Sequence, residues 1–265
     1  MTQYDTIGQA YNVLESLAFR TMEEQNIEKA IKPFIRGKPN AIDFACGTGF
    51  YTTKLLDWGC NSVTGVDISQ VMVDGAKERL AQHGQAERSQ FLVADGAIPQ
   101  PLSPNGQEQF FDIAFGCWFL NYAKSKDVLL SMFKTMSLNL KSDGVLVAIV
   151  PHPANDLNTR ALTYSQSPFT EIMPRYNYDS PLDSGEGWNL EVILSDNVRF
   201  DTFHLRQDIY EEAARQAGFR GKLEWVQEEL LGAEWKEMYC AGLTAEQWRI
   251  REGNPHMAIL IVNKE

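Results

Sequence analysis

Residues 41–51, Ala41-Ile42-Asp43-Phe44-Ala45-Cys46-Gly47-Thr48-Gly49-Phe50-Tyr51, restrict the fold more than any other stretch of the chain. The pattern predicts a buried strand over Asn40–Phe44, a tight turn through Gly47 and Gly49, and a short helix over Phe50–Trp58 with Leu55, Leu56 and Trp58 on its apolar side. The two glycines allow the backbone to turn sharply and a ligand to approach without meeting a Cβ. A strand, a Gly-x-Gly turn and a helix in succession hold the polar part of a nucleotide-like cofactor at the crest of a parallel sheet. Two glycines in a turn are weakly specific by themselves, so the neighbouring residues decide what the turn is for.

Two neighbours do so. Ser62–Val66 reads as a second strand closed by Asp67, which lies 67 − 49 = 18 residues beyond Gly49. That is close to the roughly 20 residues expected for a carboxylate that grips ribose hydroxyls. The third glycine of a dinucleotide fingerprint is replaced by Thr52, and the Gly-Lys-Ser/Thr ending of a P-loop is missing. The site therefore suits a ribose without a pyrophosphate. Further strands are expected at Phe91–Val93, Phe111–Phe115 and Val145–Val150, with helices over Ser69–His83 and Val128–Leu140 between them. Strands alternating with helices from 40 to 150 imply an α/β fold with a doubly wound sheet.

Asp43-Phe44-Ala45-Cys46-Gly47-Thr48-Gly49, then Gly65-Val66-Asp67-Ile68-Ser69, then Ala94-Asp95-Gly96, resembles the class I S-adenosylmethionine-dependent methyltransferases in motif order and spacing. The resemblance implies a mostly parallel seven-stranded Rossmann-like sheet and S-adenosylmethionine, a nucleoside without phosphate, as cofactor. It implies that Asp43, Ala45, Gly47 and Gly49 lie under the cofactor's amino-acid end, Asp67 on its ribose, and Ile68 and Met72 against its adenine. Asp95 would accept from the adenine amino group and Gly96 would allow close approach. Cys117 and Trp118 would lie beside the methyl group, with Tyr122 near the acceptor. A ring face next to a sulfonium is favourable because the quadrupole attracts a cation. The segment 1–37 resembles the helical lid of small-molecule methyltransferases, with Tyr11 as the tyrosine that touches the cofactor. Residues 210–219, the tryptophan that follows and the Asn254-Pro255 strand are also similar to the toxoflavin-type azapteridine N-methyltransferases.

Composition narrows the partners. With 24 Lys+Arg against 35 Asp+Glu, the net charge is −11, a poor match to phosphate backbones or an anionic membrane surface. Cys46, Cys60, Cys117 and Cys240 form no CxxC pair and no zinc-spaced cluster, so free thiols in a reducing compartment and no metal are expected. Asp5 comes early with no apolar h-region after it, and apolar runs such as Val145–Val150 fall far short of the ~20 residues that span a bilayer. The expectation is a cytoplasmic protein acting on a small-molecule acceptor, with monomer and homodimer both open.

The chain reads as one domain over 1–265, with 151–206 as an inserted substrate cap rich in Pro, Asn, Asp, Ser and Tyr, containing a hairpin around Asp196-Asn197. Helices follow over 207–217 and 244–252, and strands over 223–226 and 255–262. Methyl transfer from a sulfonium is a one-step displacement, for which the protein aligns the reacting atoms and excludes water. A base is needed only if the attacking nitrogen or oxygen must lose a proton; His204, His152 and Tyr178 are the candidates, with Glu186 behind them. Two rivals stand beside a small-molecule enzyme: a non-catalytic S-adenosylmethionine-binding protein, and a methyltransferase for RNA or protein.

Overall fold

The computed structural model describes residues 2–265. In chain order the elements are α1 (Gln3–Ile7), α2 (Ala18–Ile31), β1 (Asn40–Phe44), α3 (Phe50–Trp58), β2 (Ser62–Asp67), α4 (Gln70–Gln82), β3 (Ser89–Val93), β4 (Phe111–Cys117), α5 (Lys126–Asn139), β5 (Leu140–Pro151), α6 (Leu157–Tyr164), β6 (Arg175–Pro181), β7 (Gly187–Ser195), β8 (Val198–Leu205), α7 (Gln207–Gln216), β9 (Leu223–Gln227), α8 (Ala233–Cys240), α9 (Ala245–Gly253) and β10 (Met257–Asn263). A seven-stranded sheet runs β3-β2-β1-β4-β5-β10-β9. The pairs among β1 to β5 are parallel, and β10 enters antiparallel between β5 and β9. Strands β1, β4, β5 and β10 are almost wholly buried, as central strands covered on both faces must be. The chain winds outward from β1 to β3, then crosses back to β4, leaving a crevice at the carboxyl ends of β1 and β4.

Helix ends follow local chemistry. Ser69 Oγ accepts from Met72 N and caps α4, and Ser125 Oγ accepts from Val128 N and caps α5. Thr244 and Gln247 form a reciprocal capping box on α9. On one face of the sheet Leu129, Met132, Phe133 and Met136 of α5 pack with Ile209, Tyr210 and Phe219. On the other, Phe19, Met22 and Ile27 of α2 pack with Leu55, Phe115 and Val147, and the same cluster continues into Tyr164, Phe169, Tyr176 and Leu190.

Four segments differ from the sequence-based expectation. Residues 8–16 form a 3₁₀ stretch rather than an α-helix, and α2 begins only after the extended Leu17. The hairpin expected inside 151–206 is present as β7 and β8, but β6 adds a third antiparallel strand. β6 escapes pattern reading because it is an edge strand with a bulge between Tyr178 and Ser180 and a terminal Pro181. Helices α6 and α8 have eight residues each, below the length at which a helix is stable without tertiary contacts.

Candidate functional site

The turn after β1 carries three left-handed residues within five positions: Ala45 at φ 55°, Gly47 at φ 53° and Gly49 at φ 81°. They serve different ends. A Cβ on Gly47 would meet nothing within 4 Å, so this glycine faces open space. A Cβ on Gly49 would lie 3.1 Å from Ala76, so Gly49 lets the turn pack against α4. Gly47 N donates to Asp67 Oδ2 at 2.9 Å, and Ser69 N donates to Asp67 Oδ1 at 2.9 Å. The carboxylate at the end of β2 is thereby locked by backbone. Burial pushes its pKa above the usual carboxylate range, against the pull of those two N–H groups. Asp43 is 1% exposed and accepts from Thr52 Oγ1 at 2.6 Å, so the residue that replaces the third glycine supplies a hydrogen bond. Burial pushes Asp43 up to about 7.

Three cavities meet at this crest. A wide one of about 490 Å³ is lined by Tyr4, Ala45, Asp67, Ile68, Asp95, Gly96, Phe119, Tyr122 and Met132; two carboxylates face it and no cationic side chain does. A cleft of about 40 Å³ shares Ala45 with it and is lined by Tyr11, Arg20, Asp43, Gly47, Cys117 and Trp118. An aromatic cavity of about 20 Å³ shares Tyr11 and Trp118 with that cleft and adds Phe19, Asn121, Tyr176, Val192, Leu194 and Phe200. A fourth hollow, about 350 Å³ between α2 and β9–β10, shares no residue with the three.

The matching family model, described as a methyltransferase domain, covers residues 41–144. That stretch, 104 of the 265 residues, is similar to a methyltransferase domain. Protein YqeM of Bacillus subtilis is 30% identical over 119 residues, 45% of either chain, so less than half the length of this curated relative is matched. Among solved structures, the PH0226 protein of Pyrococcus horikoshii covers 100% of both chains at 16% identity and TM-score 0.65. The 1,6-didemethyltoxoflavin-N1-methyltransferase of Burkholderia thailandensis, solved with 1,6-didemethyltoxoflavin and S-adenosylhomocysteine, covers 91% of this chain and 77% of its own at 16% identity and TM-score 0.54. At these identities the structures establish a shared fold.

Tyr11, Asp43, Ala45, Gly47, Asp67, Ile68, Asp95, Gly96, Cys117 and Trp118 all line the wide cavity or the cleft. Asp95 Oδ1 accepts from Ala97 N at 2.8 Å, and a Cβ on Gly96 would come within 2.7 Å of the Phe119 ring. Gly49 and Met72 line neither cavity: Gly49 packs on α4, and Met72 is 1% exposed in the core, with Met132 supplying the methionine of the wide cavity instead. Cys117 has its thiol pKa raised well above the ordinary value by burial.

The three base candidates lie apart from the cavities. Arg160 Nε donates to Tyr178 Oη at 2.7 Å, which leaves the Tyr178 hydroxyl to donate to His204 Nδ1 at 2.7 Å. His204 is fully buried; burial first, and the Arg160 charge second, hold it well below the usual imidazole pKa. His152 Nε2 pairs with Gln227 Oε1 at 3.0 Å, and burial lowers its pKa too. None of His204, His152 and Tyr178 lines the three cavities, and the Arg160–Tyr178–His204 network joins α6 to β6 and β8. Glu186 accepts from Lys126 N at the start of α5, where an acid favours the helix dipole.

Sequence reading missed Arg20 and Glu23. Glu23 is fully buried, ion-paired with Arg20, and accepts from Tyr51 Oη and Trp118 Nε1 at 2.6 Å each. The Arg20 guanidinium lies 4.7 Å from the Phe50 ring centroid, and among the described residues its Nε has no partner. The signal was an Arg-x-x-Glu pair amid the apolar positions Phe19, Met22 and Ile27 of one helix. The described residues also hold no cluster of His, Cys, Asp and Glu placed for a metal ion, and no helix long and apolar enough to cross a membrane.

Proposed function

We propose that this protein transfers a methyl group from S-adenosylmethionine to a nitrogen or oxygen of a small heteroaromatic acceptor. The observation that carries the reading is the chain of three cavities joined through Ala45 and then through Tyr11 and Trp118. The wide cavity suits a phosphate-free nucleoside, because Asp67 and Asp95 face it and no Lys or Arg does. Asp67, with each oxygen already oriented by a backbone N–H, is the ribose clasp. Asp95, Ile68 and Gly96 hold the adenine. The cleft suits an amino-acid zwitterion: Arg20 offers a cation to the carboxylate, while Asp43 and the Ala45 turn face the ammonium.

S-adenosylmethionine supplies an electrophilic methyl on a sulfonium. The chain's own work is to hold and to dry the reacting pair. Tyr11 and Trp118 stand where the cleft opens into the aromatic cavity, with Cys117 beside them in the cleft, and their rings exclude water from the line of transfer. No carboxylate, imidazole or amine lines the aromatic cavity, and burial holds the Tyr11 and Tyr176 hydroxyls above their ordinary pKa. The reading therefore favours a nucleophile that needs no protein base, such as a ring nitrogen lone pair or an already acidic hydroxyl. Lid residues Tyr4 and Tyr11 meet Phe200 of β8 at centroid distances of 5.7 and 5.8 Å, so 2–37 and 151–206 act together as lid and cap over the acceptor. Calorimetric titration with S-adenosylmethionine, followed by a screen for S-adenosylhomocysteine released over heteroaromatic acceptors, tests the proposal; absence of cofactor binding would refute it.

A further inference from the structure

The wall of the aromatic cavity contains a buried side-chain amide that the fold leaves unpaired, beside the Tyr11 and Tyr176 hydroxyls, which also lack partners among the described residues. Asn121 sits in the 3₁₀ turn Leu120–Tyr122 after β4 and is 3% exposed. Among the described residues its Oδ1 accepts from nothing. The rest of the wall is apolar or aromatic: Tyr11, Leu14, Phe19, Trp118, Tyr176 and Phe200. A buried carbonyl left unpaired in such surroundings is costly, and a bound water or a ligand donor would relieve that cost. No charged side chain lines the cavity, which disfavours a charged guest. Ring-lined walls favour a flat one.

We propose that Asn121 is a specificity-determining residue, and that its Oδ1 accepts a hydrogen bond from a ring N–H or O–H of a neutral, flat heteroaromatic acceptor. This deepens the methyl-transfer reading and rests on it. The cavity as it stands, about 20 Å³, has room for little more than a water molecule, so a ring enters only when the 3₁₀ stretch bearing Tyr11 and Leu14 withdraws. A site completed by a ligand donor discriminates strongly against an isostere without it, because the isostere leaves the carbonyl unpaired.

The test uses two isosteric pairs, indole against benzothiophene and 1-naphthol against 1-fluoronaphthalene, titrated calorimetrically into the full chain with S-adenosylhomocysteine present. The donor-bearing member of each pair is expected to bind about tenfold more tightly to the wild type. Asn121→Leu is expected to bring the pair within about twofold by weakening only the donor-bearing member, without lowering the melting temperature, since the lost carbonyl had no partner. Asn121→Ala, which also removes the acceptor, serves as the second variant if the leucine variant does not fold. Equal binding within each pair in the wild type, as for a cavity that holds only a structural water, would overturn the assignment, and so would a preference that survives both substitutions. S-adenosylhomocysteine affinity is read in the same series. Its absence from the wild type sinks the methyl-transfer reading, whereas equal binding within each pair by the wild type with S-adenosylhomocysteine bound sinks only the role of Asn121.

Discussion

On the Asp67 side of the crevice the lining is largely backbone: a turn with three left-handed residues, an open face at Gly47, and a carboxylate fixed by two N–H groups. On the Phe200 side it is side chain: rings of Tyr11, Phe19, Trp118, Tyr176 and Phe200, delivered by the 3₁₀ stretch, α2, the β4 terminus, β6 and β8. The first is assembled from strand ends that neighbour one another in the sheet. The second needs segments far apart in sequence to fold against each other. Backbone-built walls tolerate few alternatives at the glycines and the acid; ring-built walls tolerate many shapes. On the proposed function, this is the physical reason one side would bind the cofactor and the other would select the acceptor.

Glu23 is where the two sides are tied, since it receives Arg20, Tyr51 and Trp118 together. Glu23→Ala should give the largest effect, a loss of about 3–5 kcal/mol of stability in urea unfolding, because it strands a buried guanidinium. An unchanged unfolding midpoint would mean that the two sides are not coupled through this carboxylate. Asp67→Ala separates them: S-adenosylmethionine binding by calorimetry should weaken by about 1.5–3 kcal/mol, the scale of a hydrogen bond to a charged group, with acceptor binding little affected.

The pH profile sharpens the contrast further. His204 and His256 have folded-state pKa values depressed mainly by burial. The unfolded chain therefore binds protons below about pH 6.5 that the native chain refuses, and stability falls as pH drops from there. Asp43 works the other way: its folded value is raised from 3.8 to about 7, so its contribution is full below 3.8 and is lost as pH rises toward 7. Asp43 therefore offsets part of the fall that the histidines cause between pH 4 and 6.5. Asp43→Asn should unmask a fall toward acid, measurable by denaturant titration across that window; parallel profiles for variant and wild type would contradict the assignment. The smallest effect is expected for Ala45→Gly. Relief of a left-handed alanine at φ 55° should raise stability by about 0.5–1 kcal/mol, net of the extra freedom of the unfolded chain.

The first strand and the turn after it, the acid closing β2, and the alternation that dictates a doubly wound sheet were legible in the sequence, because each depends on residues within a few positions or on one fixed spacing. Gly49 and Met72 show the limit of that reading. Both sit where a cofactor contact is expected, and only the packing of α4 assigns them to the core. The Arg20–Glu23 pair, the third strand β6, the confinement of His152, Tyr178 and His204 to a buried network, and the unpaired Asn121 were decided by tertiary structure alone. Spacing along a chain can specify a backbone turn. Whether a side chain is buried, paired or left without a partner depends on which distant segments close around it, and that is settled only when the chain folds.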